Sequence, residues 1–281
     1  MEGNLEIASS IDEKDPSKAY DNYCKRILSN KQVVAHIMKE CISEYEDVPW
    51  EEIPTYIEEP LSNKENEKII GMNTEDERIT GSQIRYDVLF QAVVPNKAGS
   101  KDKIGLLINL EAQNKDNPEY PLISRAMYYC SRLLARQKNA PEGFQKSNFQ
   151  EMKKVYSIWI CLNHNEEKEN VINRYYFKEE CIANEWHSPK EDYDLMQAVM
   201  IYPGEHYDYD DDEHGLLEFL NIVFVSNLEA EKKKKILMKD YGIEMTQTLD
   251  EEVERMCNLS QGILEKGEKK GLIEGKIALA K

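Results

Sequence analysis

Two apolar runs lie close together, Ile84 to Val94 and Ile104 to Gln113, and the nine residues between them, Pro95 to Lys103, include Pro, Asn, Gly, Ser and Asp. Apolar runs of this length bounded by turn formers predict strands, and a linker of that composition predicts that they pair as an antiparallel hairpin with a long loop. Both runs carry acids, which is unusual in a strand. Residues two apart share a face, so Asp87 falls with Leu89 and Val93, while Val88, Phe90 and Val94 point the other way. In the second run the same count gathers Glu111, Gln113 and Lys115 behind Leu107 and Asn109, opposite Ile104, Leu106, Ile108 and Leu110. Acids set into apolar strands need a cation, a hydrogen-bond network or an open end to receive them. Two carboxylates, an amide and an ammonium are thus expected to converge at one corner of a sheet.

The rest of the pattern supplies the layers around that sheet. Val33, Val34, Ile37, Met38, Cys41, Ile42 and Tyr45 recur at helical spacing and predict an amphipathic helix that Pro49 closes. Leu122 to Gln137 returns to helical spacing, Lys154 to Leu162 reads as a buried strand, and Val171 to Phe177 and Gln197 to Tyr202 read as further strands. Leu216 to Val225 is ambiguous between the two. Residues 1–19 lack apolar periodicity and are expected to be a mobile acidic tail, residues 20–228 the main domain, and residues 229–281, rich in Lys and Glu, a helical appendage. The class expected is α/β, a mixed sheet flanked by helices.

Charge narrows the partners. With 53 acidic against 36 basic residues the chain carries −17, and no apolar run nears the roughly 20 residues that span a bilayer. The start is acidic where an export signal would be basic and then apolar, so the expectation is a soluble, cytoplasmic protein with no membrane partner. The six cysteines are widely spaced with no C-x-x-C pair, which predicts reduced thiols, mostly buried. An overall acidic chain does not coat nucleic acid through bulk charge, yet a local basic patch can still grip phosphates. From Leu122 to Lys154 seven basic residues stand against two acids, Glu142 and Glu151, a net +5 inside a chain of −17. Arg125, Arg132 and Arg136 fall within about 40° of one another on the helical wheel with Tyr129 beside them, an arrangement that predicts a phosphate-binding face. The plain alternative is a solvated face bridging to neighbouring acids. Gln137, inside the apolar stripe of that helix, predicts a buried amide near the site.

An Asp in one strand and Glu-x-Gln ending the next, followed by a helix, resembles the active site of the PD-(D/E)xK nucleases. The stretches YDNYCKRILSNKQVVAHIMKECISEYED, GMNTEDERITGSQIRYDVLFQA, INLEAQNKDNPEYPLISRAMYYCSRLLARQ and KKVYSIWICLN, with the tail MCNLSQGILEKGEKKGLIEGK, resemble the PD-(D/E)xK nuclease family transposases, which are related to recombination-promoting nucleases. That resemblance implies a restriction-endonuclease-like fold and a Mg²⁺- or Mn²⁺-dependent DNA endonuclease linked to transposition or recombination. It implies that Asp87, Glu111 and the backbone carbonyl of Ala112 hold the metal. It also implies a further acid from the helix preceding the sheet, Glu44 or Glu40, with Glu75 and Asp76 as rivals. The superfamily's usual Lys is replaced by Gln113, which orients water without supplying charge. Lys115, two residues on, is either the relocated ammonium or a solvated Lys. The alternative function is a module that keeps the nuclease fold, binds nucleic acid or protein and has lost turnover. Homodimerisation is left open.

Three features look functional and are not expected to be. The acidic run Asp208 to His214 lacks the turn glycine of a calcium loop, the histidines lack metal-ligand spacing to the cysteines, and Lys232 to Lys235 is expected to be a solvated face.

Overall fold

The computed structural model describes residues 16–58, 67–70, 72, 75–76, 84–95, 105–113, 119–141, 143–204 and 215–258. Lys115, the acidic loop at 208–214 and the Gly-punctuated tail beyond 258 lie outside the described residues.

Six strands form one mixed, open sheet: β1 (Ile57–Glu58), β4 (Val88–Val93), β5 (Gly105–Gln113), β6 (Lys154–Cys161), β7 (Val171–Tyr176) and β8 (Met196–Tyr202), in spatial order β1-β4-β5-β6-β8-β7. β2 (Glu75–Asp76) and β3 (Ile84–Arg85) make a separate antiparallel pair. The expected hairpin is present, with β4 and β5 antiparallel from Val88↔Leu110 to Val93↔Gly105. β5, β6 and β8 run parallel, and the crossover from β5 to β6 is made by helix α3 (Leu122–Arg136).

Helices cover both faces. On one face Val88, Phe90, Leu106, Ile108, Leu110, Tyr156, Ile158 and Ile160 pack against α1 (Pro16–Leu28), α2 (Lys31–Cys41) and the C-terminal elements α4 (Leu216–Leu220), α5 (Ala230–Asp240) and α6, at 247–258. On the other face Leu89, Leu107, Val155, Trp159, Ala198 and Met200 pack against Leu122, Ala126, Tyr129, Cys130 and Leu133 of α3. A sheet buried on both faces needs continuous apolar strands, and β6 and β8 have them. Among the described residues no helix is long and apolar enough to cross a membrane. The six cysteines are all free, and four of them are buried.

Several boundaries differ from expectation for local reasons. Helix α1 begins at Pro16, inside the expected tail, and Cys24, Ile27 and Leu28 anchor it in the core. Asn30 separates α1 from α2, its side chain accepting hydrogen bonds from the backbone N–H of Gln32 (3.0 Å) and Val33 (3.4 Å) as an N-cap. The helix ends at Cys41, so Ile42 and Tyr45, though buried, belong to a following turn. The ambiguous stretch is helical, α4 running into a π-helical turn at Asn221–Val225. The lysine run is a correction: Lys233 and Lys234 are buried, with Lys234 Nζ 2.7 Å from Asp250, because α5 packs against the neighbouring helix.

Candidate active site

The edge where β5 ends is built from both helical layers. The expected single strand from Ile84 to Val94 is broken: β3 stops at Arg85, β4 starts at Val88, and Asp87 occupies the bend between them. Strand alternation therefore does not carry through Asp87. Its carboxylate turns to the edge of β5, where Oδ2 accepts the backbone N–H of Ala112 at 3.0 Å. Glu111 reciprocates, its Oε1 accepting the backbone N–H of Asp87 at 3.3 Å. The two acids are 24 residues apart in sequence and interlocked in space.

The β4–β5 ladder ends at Val88↔Leu110, and alternation of backbone groups along β5 directs the carbonyl of Ala112 to the same edge as its N–H, toward Asp87. Gln113 lies one alternation beyond Glu111 on the same face, and its backbone carbonyl accepts from Leu162 N–H at 2.9 Å. Behind Glu111 the face continues as a polar row: buried Asn109 donates to Ser157 Oγ at 3.1 Å, and Trp159 Nε1 donates to the same hydroxyl at 2.8 Å.

Glu111 is 4% exposed, and burial first, then the charge of Asp87, pushes its carboxyl up to about 8. The backbone N–H of Asp87, the nearby Arg125 and Asn109 act against that rise. Arg125 reaches in from α3. Its guanidinium lies 5.1 Å from the ring centroids of both Tyr129 and Trp159, and Nη2 donates to Tyr129 Oη at 2.7 Å. Tyr86, Tyr129 and Trp159 form an aromatic wall, Tyr86 edge-on to Tyr129 and Tyr129 tilted against Trp159, with centroid spacings of 5.2 and 5.3 Å. From the other helical layer, Lys25 of α1 places Nζ 2.9 Å from Asp87 Oδ1. The composition of this corner is two carboxylates, two cations and an amide around one strand end, at the carboxyl edge where ligands of open α/β sheets bind.

Other expected site residues lie elsewhere. Glu44 is not on the helix but in the turn Ser43–Tyr45, where it accepts from Tyr156 Oη at 2.5 Å and from Lys154 Nζ at 3.0 Å. Lys154 is opposite Leu106 in the sheet, whereas Glu111 is opposite Trp159, so Glu44 sits at the far end of β5 and on the other face. A chain that turns out of helix at Cys41 carries Glu44 away from the arc that helical spacing gives it. Glu40 is exposed on α2. The side chains of Glu75 and Asp76 lie outside the described residues.

The basic helix is corrected too. Arg132 is 3% exposed, with Nη1 donating to Tyr128 Oη at 3.2 Å, and Tyr129 is buried against Arg125 and Trp159. Three arginines do not form one exposed row: Arg125 lies against Tyr129 and Trp159, Arg132 is packed, and Arg136 is half-buried near Gln91 and Lys153. Gln137 is buried as expected, but its amide pairs with the backbone N–H (2.8 Å) and C=O (2.9 Å) of Lys153 at the end of α3 remote from Glu111. Arg132→Ala is accordingly expected to lower the melting temperature by several degrees, as loss of a packed, hydrogen-bonded side chain costs about 1–3 kcal/mol. Thermal unfolding reads the effect; an unchanged melting temperature would mean that Arg132 is not part of the packing.

Sequence reasoning missed Lys25 and Trp159. Lys25 sits beside Cys24 within a helical repeat of Tyr20, Cys24, Ile27 and Leu28, a signal that places the helix but not the reach of its ammonium across to another element. No family model, curated protein or solved structure matches this chain, so the likeness to nuclease transposases stands on the sequence motifs alone.

Proposed function

We propose that the protein is a Mg²⁺- or Mn²⁺-dependent DNA endonuclease of restriction-endonuclease-like fold, acting in transposition or recombination in the cytoplasm. The observation that carries this reading is the interlock of Asp87 and Glu111 through each other's backbone at the carboxyl edge of β5. The donor set fits a hard cation: two carboxylates and the Ala112 carbonyl are all oxygen, and a buried carboxyl raised by its neighbour is what a divalent ion relieves. A cation held there supplies Lewis acidity to a phosphodiester oxygen and lowers the pKa of a bound water.

The chain's own residues divide the remaining work. Asp87 and Glu111 fix the position at which a phosphodiester meets the sheet edge. Gln113, on the face of Glu111, orients water through its amide and contributes no charge. Arg125, held between Tyr129 and Trp159, presents a guanidinium that serves Glu111 alone or a phosphate oxygen as the substrate enters. The aromatic wall keeps water from the far side, which strengthens every charge interaction at the edge.

A duplex oligonucleotide in excess over protein, incubated with Mg²⁺, tests the reading. Many cleavages per protein molecule support it; tight binding without cleavage would assign the chain to a nucleic-acid-binding module.

Metal affinity should also depend on pH. Because the Glu111 carboxyl is pushed up to about 8, a cation must displace its proton at lower pH. Apparent Mn²⁺ affinity is expected to rise about tenfold per pH unit on the acid side and to level off above that pKa. Calorimetric titration at pH 7 in two buffers of different ionisation heat should show close to one proton released per ion. Binding that releases none would remove Glu111 from the ligand set.

A further inference from the structure

Lys25 makes a contact that the motif residues do not account for. Its Nζ is 2.9 Å from Asp87 Oδ1, and 44% of its side chain is exposed against 12% for Asp87, so the ammonium bridges solvent and the site. Asp87 Oδ2 is already taken by the N–H of Ala112, which leaves Oδ1 as the oxygen that Lys25 covers. An ammonium ion-paired with a carboxylate at that distance is a charge donor and not a base. An ordinary exposed ion pair joins two solvated chains and is worth little. This one ends on one of the two acids that the site turns on, beside a strand whose third motif position is the uncharged Gln113.

We infer that Lys25 is the ammonium of the phosphodiester site, balancing Asp87 while no cation is bound and moving to a non-bridging phosphate oxygen when Asp87 turns to a divalent ion. This rests on the nuclease reading above. The four-carbon stem and its exposure give Nζ the reach for that exchange. Hydrolysis forms one phosphorus–oxygen bond from water and breaks one to the leaving oxygen; water gives up a proton to solvent and the leaving oxygen takes one from it. Lys25 keeps its protons throughout and offsets the negative charge that grows on phosphorus-bound oxygen.

The test compares Lys25→Met and Lys25→Arg with the unaltered protein in two measurements. Mn²⁺ affinity is measured without DNA at neutral pH, and single-turnover cleavage is measured at the same pH with saturating DNA and metal. Loss of the competing cation is expected to tighten Mn²⁺ binding by Lys25→Met on the order of tenfold. The same variant is expected to cleave on the order of 10² more slowly, the scale of a lost transition-state donor. Lys25→Arg should keep the weaker Mn²⁺ affinity and recover most of the rate; it also keeps the test intact should Lys25→Met fold poorly. Cleavage by Lys25→Met within about threefold of the unaltered protein would overturn the inference while leaving the nuclease reading in place. A fall in rate matched by a fall in Mn²⁺ affinity would overturn it as well, since Lys25 would then only shape the metal seat. Absence of cleavage by the unaltered protein removes the reading and the inference together.

Discussion

Exchange of Asp87 for Asn, or of Glu111 for Gln, is expected to lower phosphodiester cleavage by about 10³-fold or more, the loss that follows when a group acting with its partner as a unit is removed. DNA binding measured without metal should survive, because both acids meet the phosphodiester only through the cation. Glu111→Gln should also stabilise the fold, in a pH-dependent way. The buried Glu111 carboxyl keeps its proton up to about 8 in the folded chain, while the unfolded chain releases it near 4.5. Between those values the native state holds more protons than the unfolded one, so stability falls as pH rises. Gln removes that slope and can still accept the N–H of Asp87. At pH 9 the variant is expected to melt higher by about 5 °C, and at pH 4 the two proteins should melt within roughly 2 °C of each other. More stable and less active is the signature of a residue kept for function at a cost to the fold. Equal melting at both pH values would mean that Glu111 is not held in the desolvated state, protonated up to about 8, that is described.

Lys154→Met is expected to be the most damaging single change outside the site. Lys154 Nζ lies 3.0 Å from Glu44 Oε1, 2.8 Å from Asp194 Oδ2 and 4.9 Å from the ring centroid of Tyr156, with its side chain 11% exposed. Removing it leaves two mostly buried carboxylates facing each other, and breaking a buried charge cluster in this way costs about 3–5 kcal/mol. In a chain of this size that corresponds to a melting temperature lower by roughly 10 °C. Protein that remains folded should cleave normally, since the cluster lies at the opposite end of the sheet from Glu111. A small thermal shift with a large loss of cleavage would place Glu44 and Lys154 in the site after all.

The parts legible in the sequence are those set by local periodicity. The alternation of β5, the hairpin with β4 and the extent of α3 follow from which residues can share a buried face, and the structure has all three. The departures occur where a tertiary contact overrides the period. Asp87 leaves the strand at a bend, and an acid at a bend can reach the neighbouring strand's backbone where an acid within a strand could not. Glu44 continues the helical arc on paper, but the chain leaves helix at Cys41 and pairs it with Tyr156 and Lys154, residues more than a hundred positions away. Arg132 and Arg125 look alike on a helical wheel. One is buried beside Tyr128 and the other lies against the rings of Tyr129 and Trp159, the latter supplied by β6 and not by α3 itself. Lys25 could not be found from periodicity, because its partner Asp87 enters the chain 62 residues later.

The central claim is that the corner of Asp87 and Glu111 hydrolyses DNA with a divalent cation. Supercoiled plasmid incubated with purified protein tests it most directly, in Mg²⁺, in Mg²⁺ with excess EDTA, and in Mg²⁺ with Asp87→Ala in place of the unaltered chain. Nicked and linear DNA should appear in the first incubation and be absent from the other two. Plasmid left supercoiled in all three, or nicked equally by Asp87→Ala, would contradict the account.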